Sequence, residues 1–555
     1  MQIPTHPEAQ RIEAPEALIE TDVLVVGLGP VGAALANVLG AHGVRVLAIE
    51  ASPTIFPKPR AIALDNEALR ILQAIGISEG ELETVAISQV VYQSPIFGTF
   101  ARMNTATVRD GHPSLVTFHQ PQLEAVLRAR LARYPNVEVR LATALRSFGD
   151  QGTHVTARLE GEDGAPLCVR ARYLVGTDGA NSLVRRELGL DFGGATFAQD
   201  WLIVDARDVP RPIDHVEFLC DPSRPAPQMA APGGRHRWEF MLRPGESREE
   251  MERPENIRRL LAPWCDGKEV DIERTAVYRF HARVATAFGK GRCFLAGDAA
   301  HITPPFAGQG LVAGLRDVAN LGWKLSWVLR GLASEAILAS YDEERRPHAR
   351  KIIALARFLG ALVMPRNRVT AFLIHGSIRA ARILPAGRSL FDDLKIKPQN
   401  TFDKGLFRPR REGRLGAGTS FPQAWVRREG RPVLSDEVFG SNWALVGIGV
   451  DPAAQLSPEL QERWQALGGC IWQWCQRGQA RDLAPAARRV EVLDDTWHGR
   501  LPWGWVALLR PDRCVFAEGA LATTPELVRT ALGIVQGAGP QTRLKFPEAA
   551  SEIPL

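Results

Sequence analysis

The sequence predicts an α/β protein. A discontinuous Rossmann-like domain is interrupted by an α+β domain with an antiparallel sheet and followed by a thioredoxin-like α/β domain. Three observations predict this. Residues 21–50 run as strand (VLVVG), glycine turn, small-residue helix (AALANVLGAHG) and second strand (VRVLAIE), which is the order of a βαβ unit. From about residue 201 the chain changes to short runs such as HVEFLC, RWEFML and VYRFHARV, separated by proline, arginine and glycine, the pattern of antiparallel strands. RCFLAGDAAH then returns to a buried strand and a glycine turn.

In chain order, residues 1–20 read as a loose leader and 21–195 as the first part of the nucleotide-binding domain, with a helix over 121–134. Residues 196–288 form the inserted domain, with a helix over 254–264. Residues 289–394 complete the first domain with a long helix over 308–330 and a helical region after it. A charged, glycine-rich linker spans 395–418. In 419–555 the strands WALVGIGV and WVALLRPDRCVFA and the helices SPELQERWQALG and TPELVRTALGIVQG give a thioredoxin-like order without a CxxC pair, so a redox role for that domain is not expected.

Composition narrows the function classes. At 555 residues the chain exceeds one ordinary core. Its 67 basic and 62 acidic residues form no basic block, so no nucleic-acid partner is expected. The seven cysteines are scattered without metal-ligand spacing, which predicts a reducing cytoplasm and no metal centre. The first twenty residues carry acids and prolines and do not read as a signal peptide. The most apolar stretch, residues 352–364, contains Arg357 and falls short of the about 20 apolar residues a bilayer span needs, so no membrane association is expected.

Three motifs carry chemistry. In GLGPVG, Gly27 permits a tight turn, Gly29 lets a pyrophosphate approach the backbone, and Gly32 allows close helix packing, with Pro30 and Val31 opening the helix. Glu50, at the end of the next strand, suits an adenosine ribose. GTDGANSLVRR places Asp178 and Arg185 at a second strand-to-turn junction on the pyrophosphate side. In LAGDAAHITPPFAGQG, Gly297 and Asp298 end a strand, and an aspartate there can accept hydrogen bonds from ribityl hydroxyls, which FAD has and NAD lacks. Gly308 and Gly310 open the long helix, whose free amides favour negative charge at a flavin edge. No second strand-anchored GxGxxG is present, so NADH or NADPH is expected as a transient co-substrate without a Rossmann domain of its own.

The strings PRAIALDNEALR, FHQPQLEAVL, LCDPSRP, WEFMLRPGE, AGDAAHITPPFAGQGLVAGLRDVANLGWKL, YDEERRPHA and RPDRCVFA resemble those of the class A FAD-dependent aromatic hydroxylases, in particular the subgroup acting on 3-(3-hydroxyphenyl)propionate and 3-hydroxycinnamate. The resemblance implies the para-hydroxybenzoate hydroxylase type of FAD domain, a homodimer, and a monooxygenase using NAD(P)H and O2 on a small phenolic acid. The resemblance further implies that reduced flavin takes up oxygen at its carbon 4a and that an electron-rich ring then receives the distal oxygen atom. The resemblance also makes Arg60 and Gln120 flavin contacts, although Arg60 also fits an exposed loop and Gln120 a helix cap. PPFAGQGLVAG departs from the bulkier string of the phenylpropionate-type members, so a resorcinol-like or longer acyl phenol stays open. An FAD-binding sensor or assembly protein that does no hydroxylation is the alternative from another class.

A phenol reacts faster as its anion, so a base near the ring would help. The residues that qualify are His215, Tyr278 and His281 on inserted-domain strands and His301 after GDAA; each also fits a structural role. Arg237 and Arg279 suit a substrate carboxylate, and Pro304 and Pro305 suit a stiff wall beside the flavin.

Overall fold

The computed structural model describes residues 18–57, 60–78, 80–385, 397–478, 489–494 and 501–537. Most of the expected leader lies outside the described residues; the first strand, Leu18–Val26, takes in residues 18–20. This strand runs parallel to Val46–Ile49 on one side and Pro166–Gly176 on the other, and Val137–Arg140 and Cys293–Leu295 extend the parallel set. Such strands are covered on both faces and read as unbroken apolar runs; Val23, Leu24 and Val25 have no exposure at all. The hairpin Ala144–Asp150 and Val155–Glu160 pairs antiparallel with the start of Pro166–Gly176. Because Cys293–Leu295 returns to this sheet after more than a hundred residues, the domain is discontinuous.

The second sheet has eight strands, in the order His301–Ile302, Asp271–Ala285, Phe192–Arg207, Arg235–Met241, Ala226–Ala231, Val216–Leu219, Gln89–Ser94 and Gly98–Asn104. Every pairing is antiparallel except that of Val216–Leu219 with Gln89–Ser94. The sheet is therefore wider than residues 196–288. It borrows Gln89–Ser94 and Gly98–Asn104 from the first segment expected in the nucleotide-binding domain and His301–Ile302 from the second, and Gln89–Ser94 pairs the edge that Val216–Leu219 would otherwise expose. Side chains alternate between its faces. Leu202, Val204, Trp238 and Phe240 pack with residues of the helix Pro254–Cys265. Trp201, Ile203 and Met229 face Phe306 and Leu359 of the nucleotide-binding domain.

The helix Ala339–Val363 turns Ile352, Ala356 and Leu359 inward while Phe358 is exposed. No helix among the described residues is long and apolar enough to cross a membrane. The described part of the linker, residues 397–418, contains only an isolated bridge at Thr401. In the C-terminal domain Cys470–Cys475 lies parallel to both Ala444–Ile448 and Arg489–Val492. Trp505–Leu509 and Val515–Ala520 add antiparallel on the other side. With the helix Pro458–Ala466 the strands Ala444–Ile448 and Cys470–Cys475 form βαβ, and with the helix Thr524–Val535 the strands Trp505–Leu509 and Val515–Ala520 form ββα, the thioredoxin-like order, with Arg489–Val492 added between the two units in the chain. The domain docks through a shared apolar core, with Trp323 edge-on to Trp443. It is also held by Arg510, which donates to Glu344 at 2.6 and 2.9 Å inside the interface.

Candidate active site

The three motifs converge on one wall of a cavity of about 740 Å3, and the second sheet forms the opposite wall. Gly29, Pro30 and Val31 line it at the start of the helix Pro30–Ala41. Behind them, Thr177 of the second motif donates its hydroxyl to the carbonyls of Val26 and Gly27 at 3.0 and 2.7 Å. Glu50 also lines the cavity, accepting from the amides of Leu28 and Ser52 at 2.8 and 3.0 Å. Each of its oxygens keeps a lone pair for a further donor. Gln120 accepts from the amides of Arg60 and Ala61 at 2.9 and 2.8 Å. That pins the PRA turn, and both Gln120 and Arg60 are on the wall.

At the far end Asp298, Pro305, Gly308 and Gly310 line the same space. Burial pushes the Asp298 carboxyl above its usual range, and no protein donor meets it among the described residues. Asp178 stands behind the wall. One of its oxygens accepts from the Val184 amide at 3.1 Å, and the other is buried without a partner.

On the sheet side Tyr278, Arg279 and His281 line the cavity. Tyr278 accepts a hydrogen bond from Arg274 at 2.8 Å. Burial lowers the pKa of His281, whose ring meets the Thr196 hydroxyl at 3.0 Å. Arg279 and Arg248 both grip Asp200, at 2.8 and 2.9 Å, and the hydrogen bond from Arg248 helps hold that carboxyl down at about 2. Two cations on one anion leave a positive rim.

Other expected residues lie elsewhere. His301 is fully buried and donates to Asp317 at 2.7 Å. Asp317 also accepts from Gly297 and Arg345, so His301 ties the third motif to the long helix and is off the cavity wall. His215 sits beside Asp214 at 3.0 Å, also off the wall. Arg237 is buried in a two-point pair with Asp205 at 2.6 and 2.9 Å, which Arg274 joins at 2.9 Å. Arg185 donates to the carbonyls of Ala299 and Ala180 at 2.9 and 2.8 Å, joining the second and third motifs, and is off the cavity wall. Pro304 is buried behind Pro305. Gly27, Gly32 and Gly297 shape the turns from behind; a Cβ on Gly32 would sit 2.0 Å from the Gly27 carbonyl oxygen.

Sequence reading missed Glu239, Arg274 and the apolar wall of Tyr92, Ile203, Phe218 and Met229. Their period-2 spacing was visible, but not which face of each strand would meet the cavity.

An open approach at Gly29, an acid at the second strand's end and an undonated carboxylate at Asp298 fit a dinucleotide carrying a hydroxyl-bearing chain. The space beyond them fits a small aromatic ligand. No group of residues that could hold a metal occurs among the described residues.

The comparisons with known proteins agree. A family model described as an FAD binding domain matches residues 20–356, and one described as the HcaD C-terminal domain matches 418–533. The 3-(3-hydroxy-phenyl)propionate/3-hydroxycinnamic acid hydroxylase of Mycobacterium sp. (strain JLS) is 38% identical over 535 residues, covering 94% of this chain and 93% of its own. The protein of the same name from Paraburkholderia xenovorans (strain LB400) is 36% identical, covering 96% and 94%. The solved flavin-dependent monooxygenase PieE, in complex with FAD and substrate, aligns with a TM-score of 0.77 over 94% of this chain and all of its own, at 20% identity, a likeness of fold. The chain belongs to the class A FAD-dependent aromatic hydroxylases.

Proposed function

We propose that the protein ortho-hydroxylates 3-(3-hydroxyphenyl)propionate, and 3-hydroxycinnamate, to the 2,3-dihydroxy product. The observation that carries this reading is the full-length similarity to relatives named for these substrates, which includes the inserted sheet and the C-terminal domain. FAD, when bound, takes two electrons from NADH or NADPH and activates O2 for transfer of one atom to the ring.

The chain's own residues bind, orient and exclude water. Gly29, Glu50 and Asp298 would hold the cofactor's phosphates and hydroxyls, with Arg60 and Gln120 beside it. The helix Gly310–Leu329, whose first residue lines the cavity, would offer its free amides to the flavin. Pro305 stiffens the wall, and Tyr92, Phe218 and Met229 keep the ring dry. The positive rim at Arg279 draws the substrate carboxylate. The experiment is to follow NADH oxidation by the FAD-loaded enzyme with 3-(3-hydroxyphenyl)propionate and to identify the aromatic product. Formation of one dihydroxy product per NADH is expected; unaccelerated oxidation, or peroxide alone, rules this phenol out.

We also assign the enzyme to the cytoplasm as a homodimer. Free cysteines support the first. The second is supported by an exposed apolar row, Val369, Phe372, Leu373, Ile383 and Leu384, of the kind that marks an interface. Light scattering should give twice the chain mass for the wild type and the monomer mass for Phe372→Asp; a monomeric wild type refutes the dimer.

A further inference from the structure

Glu239 sits at the centre of the strand Arg235–Met241, is 8% exposed, and is part of the cavity wall. It stands opposite Ile203 on the neighbouring strand, with Met229 and Phe218 on the same wall to one side and Arg274 and Tyr278 to the other. The ionisable groups facing it are committed to one another. Arg237 on its own strand and Arg274 on the third strand both hold Asp205 of the strand between them, and Arg274 also donates to Tyr278. Glu239 accepts no hydrogen bond from any of them, nor from any other described residue.

A buried carboxylate without a donor is costly, and here the open side of the group is the cavity. A phenolic acid offers one O–H donor, its ring hydroxyl, since its carboxylate is ionised. A carboxylate on the wall therefore attracts the hydroxyl and repels the acid end, which goes to the positive rim at Arg279 and Arg248. One contact thus sets which end of the substrate enters first.

We propose that Glu239 is the catalytic base of the hydroxylation, accepting the hydrogen bond of the substrate's phenolic hydroxyl and taking its proton as the ring is attacked. The assignment rests on the reading above that the ligand is a phenol. In the step the phenolic O–H bond breaks, a Glu239 Oε–H bond forms, and the electron pair stays on the phenolate oxygen to enrich the ortho and para carbons. After an oxygen atom has been added, the hydroxylated carbon releases its proton to solvent water as its C–H electron pair restores the aromatic ring, and the ring oxygen recovers a proton from the Glu239 carboxylic acid, so the carboxylate is restored. No electrons pass through Glu239. Burial, opposed by Arg237 and reinforced by Asp205, pushes its carboxyl above the usual range, which brings it nearer the basicity a proton acceptor needs.

The test compares FAD-loaded wild type and Glu239→Gln with whichever of 3-(3-hydroxyphenyl)propionate, 3-hydroxycinnamate and resorcinol the wild type hydroxylates. The expected result is a loss in kcat of at least about a hundredfold with KM changed by less than about threefold. Bound FAD and melting temperature should match the wild type. The loss should shrink for a ring-fluorinated, more acidic form of the same phenol and as pH rises toward the phenol's own pKa, which a merely structural role would not produce. Glu239→Asp should recover part of the rate and displace the pH profile. A Gln variant as fast as the wild type, or a loss equal for every phenol acidity, overturns the assignment. Should the Gln variant fail to load FAD, an Asp variant with an unmoved pH profile overturns it as well. A wild type that hydroxylates none of the three overturns the phenol reading itself, and this inference with it.

Discussion

Two neighbouring glycines of the first motif separate folding from cofactor binding. A Cβ on Gly32 would lie 2.0 Å from the Gly27 carbonyl oxygen and 2.6 Å from the Thr177 hydroxyl. The hydroxyl can rotate away, but the carbonyl is backbone. Reaching an ordinary contact of 3.4 Å would require the helix Pro30–Ala41 to retreat by more than an ångström. It cannot do so freely. The helix Gly310–Leu329 packs closely behind it, so that a Cβ on Gly314 would come within 2.6 Å of Val31 and one on Gly322 within 2.8 Å of Val38. Gly32→Ala is thus overpacking with no relief, and the cost belongs at the upper end of the usual range, about 3 kcal/mol. Apo-protein stability should fall by that amount. FAD affinity should fall by about a hundredfold as the helix start is displaced. Gly29→Ala is the counterpart. Its Cβ would meet no protein atom within 4 Å and its φ of −63° suits alanine. Apo stability should stay within about 0.5 kcal/mol, while the methyl group occupies the phosphate approach and costs at least about tenfold in FAD affinity. Apo-protein melts in denaturant and titration of flavin fluorescence read the two quantities. A Gly32→Ala variant with wild-type stability, or a Gly29→Ala variant with wild-type FAD affinity, would refute the reasoning.

Two further predictions concern the sheet and the domain interface. Arg510→Met removes two hydrogen bonds at 2.6 and 2.9 Å to Glu344 in a fully buried cluster that also holds Lys324. Breaking such a group should cost about 3–5 kcal/mol, seen as an earlier unfolding transition and faster amide exchange in Ala444–Ile448; unchanged exchange there would count against an interdomain lock. His236 of the inserted sheet is pushed down to about 4, chiefly by burial. The unfolded chain therefore binds a proton near the ordinary value of about 6.5 while the folded chain does not. Stability should be lost as pH falls from about 6.5 to about 4. His236→Gln should flatten that part of the stability profile, and an identical slope in both proteins would contradict it.

Much of the fold was legible because the local signals agreed. The βαβ unit at residues 21–50, the helix start at Gly310 and the paired strands around RPDRCVFA each join a hydrophobic period to a turn residue that permits only a few backbone paths. The second sheet was legible only in part. Gln89–Ser94 and Gly98–Asn104 look like any hairpin, and nothing local says that Gln89–Ser94 pairs with Val216–Leu219, more than a hundred residues away. The site divides the same way. Gly29, Glu50 and Asp298 line the cavity because their roles depend on backbone turns that the sequence encodes nearby. His301 and Arg237 were attractive by residue type, yet both are committed to buried acids, Asp317 and Asp205, on other elements.

The sequence by itself determined the cofactor class, the interruption of the nucleotide-binding domain and the thioredoxin-like order of the C-terminal domain, since each is written in short-range pattern and chain order. Only the tertiary structure decided which polar side chains remain available for chemistry. Glu239 and Arg237 stand two residues apart on one face of one strand, and the sequence gives no reason to prefer either. Asp205 arrives from the adjacent strand to pair with Arg237, and Ile203, two residues before it, leaves Glu239 without a donor. Whether a buried charge is satisfied depends on what the neighbouring strand places opposite it, and that is a property of register.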